Sequence, residues 1–453
     1  MFDPKIFHDY DVRGVYPSQI NEEIYQRIGM AIADYIGQGP IGAGHDMRLS
    51  SPTLSKALIK GILSQGIDVV DLGLISSEML YFASGKYRFP ANVIISASHN
   101  PPQYNGLKVV KKGVVALNGE YGLPQIRALA LKNQFPQANK FGQLSSKNIL
   151  DDWITHALKF VELKNIKPLK VVVDAGNGMA GISWQKLIGR LPIEIIPLYF
   201  KPDGSFPHHI PNPLEEKNLL DLKNEIIEKK ADLGLSFDGD ADRLFILDEK
   251  TQVLSGTITT AILAKHLLKT QGAKNIVLYN AVCGRIVPET VEECGGKSIR
   301  VRVGHSFIKQ YMRKYHALFA GEHSGHYYFR DNYNAESSLL AALIFLEFVS
   351  SENKKVSQIV EEFAKYPQSG ELNFKAQNIE KIVKTIKMDY QKSANSLDDI
   401  DGLSIWYSDW WFNIRASKTE PLLRLNIEAD NQSLLDRKQK ELVDKLLTLG
   451  ATL

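Results

Sequence analysis

Short apolar runs rich in β-branched residues alternate with longer amphipathic stretches along most of this chain of 453 residues. The apolar runs predict strands, and they lie at residues 67–72, 93–95, 170–174, 233–237 and 275–279. The amphipathic stretches predict helices, and they lie at residues 54–63, 148–161, 218–230 and 257–269. This alternation predicts doubly wound α/β units with largely parallel sheets.

Polar and turn-rich stretches divide the alternation into four segments. We expect α/β domains at residues 1–150, 151–252 and 253–367, and a smaller α+β domain at residues 368–453. The last segment differs in texture because a helix-like run is followed by two strands, around 403–407 and 410–414, and by a closing helix after residue 432.

Composition excludes several classes of protein. The net charge is only +3, so the chain lacks the basic character of a nucleic-acid binder. No apolar run of about 18 residues predicts a membrane span. The first five residues lack the order of a signal peptide, and two cysteines make no disulfide framework. We therefore expect a cytoplasmic protein, either a monomer or a homodimer.

A buried strand, residues 93–95, leads into a polar loop at residues 96–101 that carries Ser98. Ligands in parallel α/β sheets gather at the carboxyl ends of strands, so Ser98 is a candidate nucleophile. A turn or helix-cap serine is the alternative interpretation.

A second strand, residues 233–237, leads into Asp238, Asp240 and Asp242. Three carboxylates this close repel one another unless a cation lies between them, although a solvated acidic loop is the alternative. An EF-hand is excluded because Arg243 occupies the sixth position, where that loop needs glycine.

Magnesium is the cation that suits this loop. Mg²⁺ is usually held by a few carboxylates together with phosphate oxygens. Zinc is disfavoured because Cys283 and Cys294 form no cluster with ligand spacing. A serine and a cation site together indicate phosphoryl transfer.

Three further loops carry polar groups suited to a sugar phosphate. Residues 321–326 offer a carboxylate, a hydroxyl and imidazoles for sugar hydroxyls. Residues 415–421 offer a guanidinium, an ammonium and hydroxyls for a phosphate. Residues 10–14 add Arg13. A structural turn, a solvated basic turn and a pair between Arg13 and a neighbouring aspartate are the respective alternatives.

In order along the chain, these loops resemble the motifs of the α-D-phosphohexomutase family, and are most similar to its phosphomannomutase/phosphoglucomutase branch. The matching motifs span nearly the whole length, at residues 10–14, 44–48, 96–101, 174–178, 206–209, 238–243, 304–306, 321–326 and 415–421. The resemblance implies three similar doubly wound α/β domains plus a smaller C-terminal α+β domain around a central cleft.

The resemblance also implies roles for individual residues. Ser98 would carry the phosphoryl group, and a phosphoserine oxygen, Asp238, Asp240 and Asp242 would bind Mg²⁺. The residues implied near the transfer site are His99, Lys108, Arg243 and His305, with Lys108 or His305 as proton carrier. The residues implied in substrate binding are Tyr10, Arg13, Glu322, Ser324, His326, Arg415, Ser417, Lys418 and Thr419. Lys418 departs from the asparagine common in the family's phosphate loop.

The implied reaction interconverts hexose 1-phosphates and hexose 6-phosphates of mannose or glucose. The reaction would proceed through a phosphoserine enzyme and a hexose 1,6-bisphosphate intermediate, which also acts as activator. A phosphoglucosamine mutase is the neighbouring alternative. A non-catalytic sugar-phosphate-binding protein on the same fold is the alternative of another class.

Overall fold

A computed structural model describes residues 2–417 and 422–452. The chain forms two compact units. The first unit contains residues 1–255 and 324–357, and the second contains residues 256–323 and 358–453. No helix within the described ranges combines the length and apolarity needed to cross a membrane.

A mixed sheet covered by helices forms the first part of the first unit. Its elements in chain order are β1 (Val12–Val15), α1 (Glu22–Ile36), β2 (Ile41–His45), α2 (Ser51–Ser64), β3 (Val69–Leu74), α3 (Ser77–Lys86), β4 (Ala91–Ile95), β5 (Tyr104–Lys111), β6 (Val115–Ala116), α4 (Leu123–Lys132) and β7 (Leu144–Ser146). The strand order is β1-β5-β4-β2-β3-β7, with β6 beside β5. Strands β2, β3, β4 and β7 run parallel, whereas β5 runs antiparallel to β4 and β1. The sheet is mixed because the loop after β4 turns the chain straight back into β5.

The second segment repeats this architecture with a shorter sheet. Its elements are α5 (Leu150–Ala157), β8 (Lys170–Asp174), α6 (Ala180–Leu187), β9 (Glu194–Leu198), α7 (Leu220–Lys229), β10 (Leu233–Phe237), β11 (Leu244–Asp248) and β12 (Val253–Leu254). The order is β12-β11-β10-β8-β9, in which β8, β9 and β10 are parallel and β11 is antiparallel to β10. Every residue of β10 and β11 is buried, which explains their mostly apolar sequences.

The third segment contributes to both units. Its elements are α8 (Gly256–Gln271), β13 (Ile276–Asn280), α9 (Ile286–Glu293), β14 (Lys297–Val301), α10 (His305–Tyr315), β15 (Phe319–Gly321), β16 (Tyr327–Phe329), β17 (Ala335–Glu336), α11 (Ser338–Glu352) and α12 (Val356–Phe363). In the second unit, β13 pairs in parallel with β14 and β15. In the first unit, β16 and β17 form an antiparallel pair, and α11 is buried almost all round.

The last segment is a small α+β fold within the second unit. Its elements are β18 (Leu372–Lys375), α13 (Ile379–Tyr390), β19 (Ser396–Asp398), β20 (Leu403–Trp406), β21 (Trp410–Ala416), β22 (Leu422–Ala429) and α14 (Gln432–Thr448). All its strand pairs are antiparallel, in the order β18-β22-β21-β20-β19. The predicted strands and helices of this segment are confirmed to within two residues at their bounds.

Candidate active site

Ser98 lies in the loop that follows β4, and its hydroxyl faces the acidic loop between β10 and β11. Ser98 Oγ donates a hydrogen bond to Asp238 Oδ2 at 2.8 Å and lies 3.1 Å from His99 Nδ1. The backbone of Ser98 is left-handed, with φ of +49°, and its N–H donates to Ser96 Oγ. The structure therefore brings the serine and the acidic loop together across 140 positions of sequence.

Arg48 holds the serine loop in this conformation. The residue is fully buried, and its guanidinium donates to four carbonyl oxygens of the loop and of the start of β5. The acceptors, at 2.6 to 2.9 Å, are the carbonyls of Ser98, Asn100, Pro101 and Tyr104. The sequence interpretation gave Arg48 no role. The run 44–48 after a strand was the available signal, but its partners lie about 50 positions away.

Gly239 allows the two loops to approach each other. A Cβ atom on this residue would lie 2.5 Å from the Ser98 carbonyl oxygen, a distance that real Cβ atoms do not reach. The backbone of the serine loop cannot yield easily, because Arg48 binds it. The position between Asp238 and Asp240 therefore requires glycine for packing.

The three aspartates form a compact buried cluster. One carboxylate oxygen from each of Asp238, Asp240 and Asp242 lies within 4.8 Å of the others. Burial, with repulsion from Asp242 and Asp240, raises the pKa of Asp238 to about 8. Burial acts in the same direction on Asp242, but Lys108 and His326 outweigh it and hold the pKa of Asp242 well below its ordinary value.

Lys108 supplies the positive charge nearest this cluster. It projects from β5, and its Nζ lies 2.6 Å from Asp240 Oδ2 and 2.8 Å from Asp242 Oδ2. Burial opposes the charge on Lys108, but the two carboxylates outweigh burial and hold the pKa of Lys108 well above its ordinary value. In this arrangement Lys108 keeps its proton and its positive charge.

The acidic cluster fits a hard divalent cation. Among the described residues, Asp240 Oδ1 is buried and has no hydrogen-bond partner, so it is free to coordinate. Oxygen ligands from a few carboxylates match the preference of Mg²⁺. Asp238, Asp240 and Asp242 would hold the ion, with Ser98 Oγ beside Asp238.

Arg243 and part of the predicted sugar loop lie next to the same cluster. Arg243 Nε lies 3.3 Å from His326 Nε2, which in turn lies 3.2 Å from Asp242 Oδ1. Ser324 Oγ lies 3.1 Å from His326 Nδ1. The first unit thus unites Ser324 and His326 with the serine and the aspartates.

Arg13 reaches the serine loop from β1. Its guanidinium donates to Asn100 Oδ1 and also pairs with Asp11 Oδ2 at 2.5 Å. The pair with a neighbouring aspartate, the alternative interpretation of Arg13, is therefore present, and the role of Arg13 in substrate binding stays a prediction. Tyr10, just before it, is half-buried.

In the second unit, Glu322 is buried beside the start of α10. Its Oε1 accepts a hydrogen bond from Gly304 N at 3.2 Å and lies 3.5 Å from Asn280 Nδ2. His305 is the first residue of α10, and its Nδ1 lies 3.2 Å from Lys309 Nζ. The structure thus brings the predicted sugar-binding carboxylate next to the turn that carries His305.

Arg415 lies near the end of β21 and pairs with Glu371 Oε2 at 2.5 Å. Ser417 follows the strand, and its N–H donates to the Leu422 carbonyl, which brings the two ends of the loop together. Lys418 and Thr419, the other predicted phosphate ligands, lie outside the described residues.

Comparison with known proteins agrees with this arrangement. Sequence models for the phosphoglucomutase/phosphomannomutase α/β/α domains I, II and III match residues 4–136, 151–252 and 255–366. The model for the C-terminal domain of the same proteins matches residues 354–445. The chain belongs to the phosphoglucomutase/phosphomannomutase family. As a member, it is an isomerase of the phosphohexomutase type, and the resemblance seen in the sequence is confirmed.

Relatives of this phosphohexomutase match over nearly their whole length. The chain is 37% identical to a phosphomannomutase of Escherichia coli, over 93% of this chain and 94% of that protein. It is 36% identical to a protein of Xanthomonas campestris named phosphohexose mutases, over 97% and 98% of the two chains. A family protein from Burkholderia thailandensis superposes with a TM-score of 0.89 at 29% identity, covering 98% of each chain. The predicted fold class, with three α/β domains and a smaller C-terminal α+β domain, is confirmed.

Proposed function

We propose that this protein interconverts the 1-phosphate and 6-phosphate of mannose or glucose through a phosphoserine at Ser98 and a hexose 1,6-bisphosphate. The observation that supports this proposal best is the contact of Ser98 Oγ with Asp238, at 2.8 Å, at the edge of a carboxylate cluster suited to Mg²⁺. The names of the E. coli and X. campestris relatives support a hexose phosphate as substrate.

The proposed reaction is a pair of balanced phosphoryl transfers. The bond from phosphorus to Ser98 Oγ breaks as the free hydroxyl oxygen of a hexose 1-phosphate bonds to that phosphorus. The sugar hydroxyl loses a proton, and Ser98 Oγ gains one. After the bisphosphate turns, Ser98 Oγ loses its proton and takes the other phosphoryl group. The sugar oxygen that releases this group gains a proton, and the product is the hexose 6-phosphate.

His99 is the proposed proton partner of the serine. Burial, with the positive charges of Arg243 and Arg13, lowers the pKa of His99 well below its ordinary value, so the ring is neutral at pH 7. Its Nδ1 lies 3.1 Å from Ser98 Oγ. A neutral imidazole at this distance can accept the serine proton once the hydroxyl rotates from Asp238 towards the ring as it attacks phosphorus.

Positively charged side chains in the first unit stabilise the negative charge on the oxygens of the phosphoryl group during its transfer. Lys108 and Arg243 are cations beside the cluster. A bound Mg²⁺ supplies further stabilisation of that charge. Lys108 is one proposed proton carrier for a sugar oxygen, and it would exchange one of its hydrogen bonds to Ser77, Asp240 or Asp242 for that contact. His305 is the alternative proton carrier.

The family motifs supply the proposed substrate ligands. Ser324 and His326, with Glu322, are the proposed ligands of sugar hydroxyls. Arg415 and Ser417, with the loop that follows them, are the proposed ligands of the phosphate that is not being transferred. Arg415 lies near the end of β21, close to the start of this loop, and a guanidinium can bind a phosphate in a bidentate manner.

A substrate panel tests the proposal. Purified protein with Mg²⁺ and a trace of glucose 1,6-bisphosphate is given mannose, glucose or glucosamine 1-phosphate, and phosphorus NMR follows the 6-phosphate. We expect turnover of mannose 1-phosphate, glucose 1-phosphate or both. Turnover of glucosamine 1-phosphate alone would contradict the proposed substrate class.

Intact-mass measurement separates an enzyme from a sugar-phosphate-binding protein. The wild type should gain one phosphoryl group from glucose 1,6-bisphosphate, and Ser98→Ala should gain none and lose turnover while keeping its circular dichroism spectrum. Ser145→Ala, at an exposed serine of β7, is the matched control and should behave as the wild type. A wild type that gains no phosphate would favour the binding protein.

A further inference from the structure

We propose that Ser77 is a positioning residue of the cation site, an inference that rests on the proposed function. Ser77 is the first residue of α3 and is fully buried. Its Oγ donates to Asp240 Oδ2 at 2.5 Å and accepts a hydrogen bond from Lys108 Nζ at 2.9 Å. Its backbone N–H also donates to the Asp240 carbonyl oxygen at 3.0 Å.

The chemistry of a hydroxyl suits this place. A hydroxyl donates one hydrogen bond and accepts others, so it can link an ammonium and a carboxylate at the same time. With Ser77, Asp240 and Asp242 as acceptors, all three N–H groups of Lys108 have partners. The bond to Oδ2 also restrains the carboxylate of Asp240, whose Oδ1 is buried and has no hydrogen-bond partner among the described residues.

Ser77 is itself held rigidly by its neighbours on α3. Ser76 caps the helix through a bond from Met79 N to its Oγ. Glu78 accepts hydrogen bonds from Ser337 Oγ at 2.7 Å and Leu339 N at 3.3 Å, which join the start of α3 to the start of α11. The helix end that carries Ser77 is therefore fixed within the first unit.

The start of α11 contacts the acidic loop as well. Ser338 Oγ donates to the Ala241 carbonyl oxygen at 2.8 Å. The backbone of the loop is thus bound from α3 at Asp240 and from α11 at Ala241. Ser77 is the residue through which this scaffold reaches a carboxylate of the cluster, as partners of metal ligands commonly do.

The inference predicts that Ser77→Ala weakens cation binding and slows turnover without affecting substrate affinity. Loss of the hydroxyl leaves both charged partners in place but frees them to move relative to each other. We expect about tenfold weaker Mn²⁺ binding, the usual size of such an effect. We also expect a kcat about tenfold lower, with an unchanged KM because the buried hydroxyl does not contact substrate.

The test measures Mn²⁺ affinity by electron paramagnetic resonance, beside kcat, KM and thermal unfolding. Ser77→Thr restores the hydroxyl and should stay within about threefold of the wild type, because the bridging donor and acceptor remain. Ser84→Ala makes the same change on α3, at a buried serine that bonds Lys111 and Val114 instead, and should change neither Mn²⁺ affinity nor kcat.

If Ser77→Ala kept the Mn²⁺ affinity and kcat of the wild type, this inference would be overturned and the proposed function would stand. Equal losses in Ser77→Ala and Ser84→Ala would overturn it too, because the effect would then follow from any cavity in α3. A wild type that neither binds Mn²⁺ nor turns over a hexose 1-phosphate would overturn the proposed function together with this inference.

Discussion

At the scale of single residues, Asp238 combines complete burial with two carboxylate neighbours, and these raise its pKa to about 8. A carboxylate binds a metal ion only after losing its proton. Below pH 8 the ion must therefore displace a proton from Asp238, whereas above pH 8 the carboxylate is already charged. The Asp238 carboxyl group can thus carry a proton when no cation is bound.

The first prediction concerns this exchange in protein without phosphate on Ser98. The apparent affinity for Mn²⁺ should fall by up to about tenfold for each pH unit below about 8, and level off above it, because one proton competes with the ion. Calorimetry in two buffers of different ionisation enthalpy should show about one proton released at pH 7. Asp238→Asn should bind Mn²⁺ more weakly and release fewer protons on binding. An unchanged number of released protons would show that the proton does not come from Asp238.

At the scale of elements, the serine loop depends on the fork of Arg48. A left-handed backbone at a serine costs about 1–3 kcal/mol unless its surroundings impose it. Four carbonyl acceptors on one buried guanidinium impose it here. Asp46 pairs with Arg48 Nε at 3.3 Å and completes this arrangement.

The second prediction is that Arg48→Lys keeps the charge but loses the loop geometry. An ammonium has three donors in place of five, so at least one carbonyl loses its bond. We expect a loss of about 1–3 kcal/mol in the free energy of unfolding. Transfer of phosphate to Ser98 should slow at least tenfold, as read by mass spectrometry in single turnover.

Arg27→Lys is the control for the second prediction, because Arg27 pairs with Glu23 on the surface of α1. An Arg48→Lys variant that is phosphorylated as fast as the wild type would show that the loop needs no such fork.

The third prediction concerns Glu78 at the junction of α3 and α11. Burial raises its pKa to about 8, and hydrogen bonds from Ser337 and Leu339 only partly oppose this. The folded state thus keeps a proton that the unfolded state loses above about pH 4.5. The stabilisation from this proton is complete below pH 4.5 and declines as the pH rises to about 8.

Glu78→Gln should remove this decline, since an amide does not titrate. Urea unfolding at about pH 5, 6.5 and 8 should show the variant gaining stability relative to the wild type as the pH rises. Glu380→Gln, at an exposed glutamate of α13, should show no such trend. A constant difference between Glu78→Gln and the wild type would mean that Glu78 is already ionised when buried.

The elements differ in how well the sequence predicts them. Strands β8 and β10 lie at their predicted bounds, because nearly all their residues are buried and their sequences are mostly apolar. The strand predicted at residues 67–72 lies at Val69–Leu74, since pairing with β2 decides its ends. The helix predicted at 148–161 ends earlier, at Ala157, where the chain tightens into a 3₁₀ turn.

The residues of the candidate site also differ in how well the sequence predicts them. Ser98 and the aspartates are visible in the sequence because a buried strand ends beside reactive side chains. Arg48 and Ser77 are not, because their partners are distant in sequence: Ser77 lies 163 positions from Asp240. Strand β5 was also missed, because polar residues, among them the buried Lys108, interrupt its apolar pattern.

At the scale of the whole molecule, charge compensation within the first unit determines how the protein responds to loss of the cation. Lys108 neutralises part of the charge of Asp240 and Asp242, and Asp238 can hold a proton. Buried like charges would otherwise strongly destabilise the fold. The negative charge of the cluster is therefore partly balanced by groups of the protein itself, even when no cation is bound.

The fourth prediction is that chelation removes activity but not structure. With excess EDTA, we expect turnover to stop while the melting temperature falls by no more than a few degrees, because Lys108 remains in the cluster. Lys108→Met should melt at least about 5 °C lower in EDTA and recover part of this with Mg²⁺. Cooperative unfolding of the wild type on chelation would contradict this prediction.

The ammonium of Lys108 between two aspartates has a consequence for how this protein is made. A newly synthesised chain can fold before it binds Mg²⁺, and the ion can dissociate and rebind while the protein stays folded. When magnesium is scarce, the cell would contain folded enzyme that is inactive because it lacks the ion. Its output would then follow the supply of the ion within moments, without new synthesis.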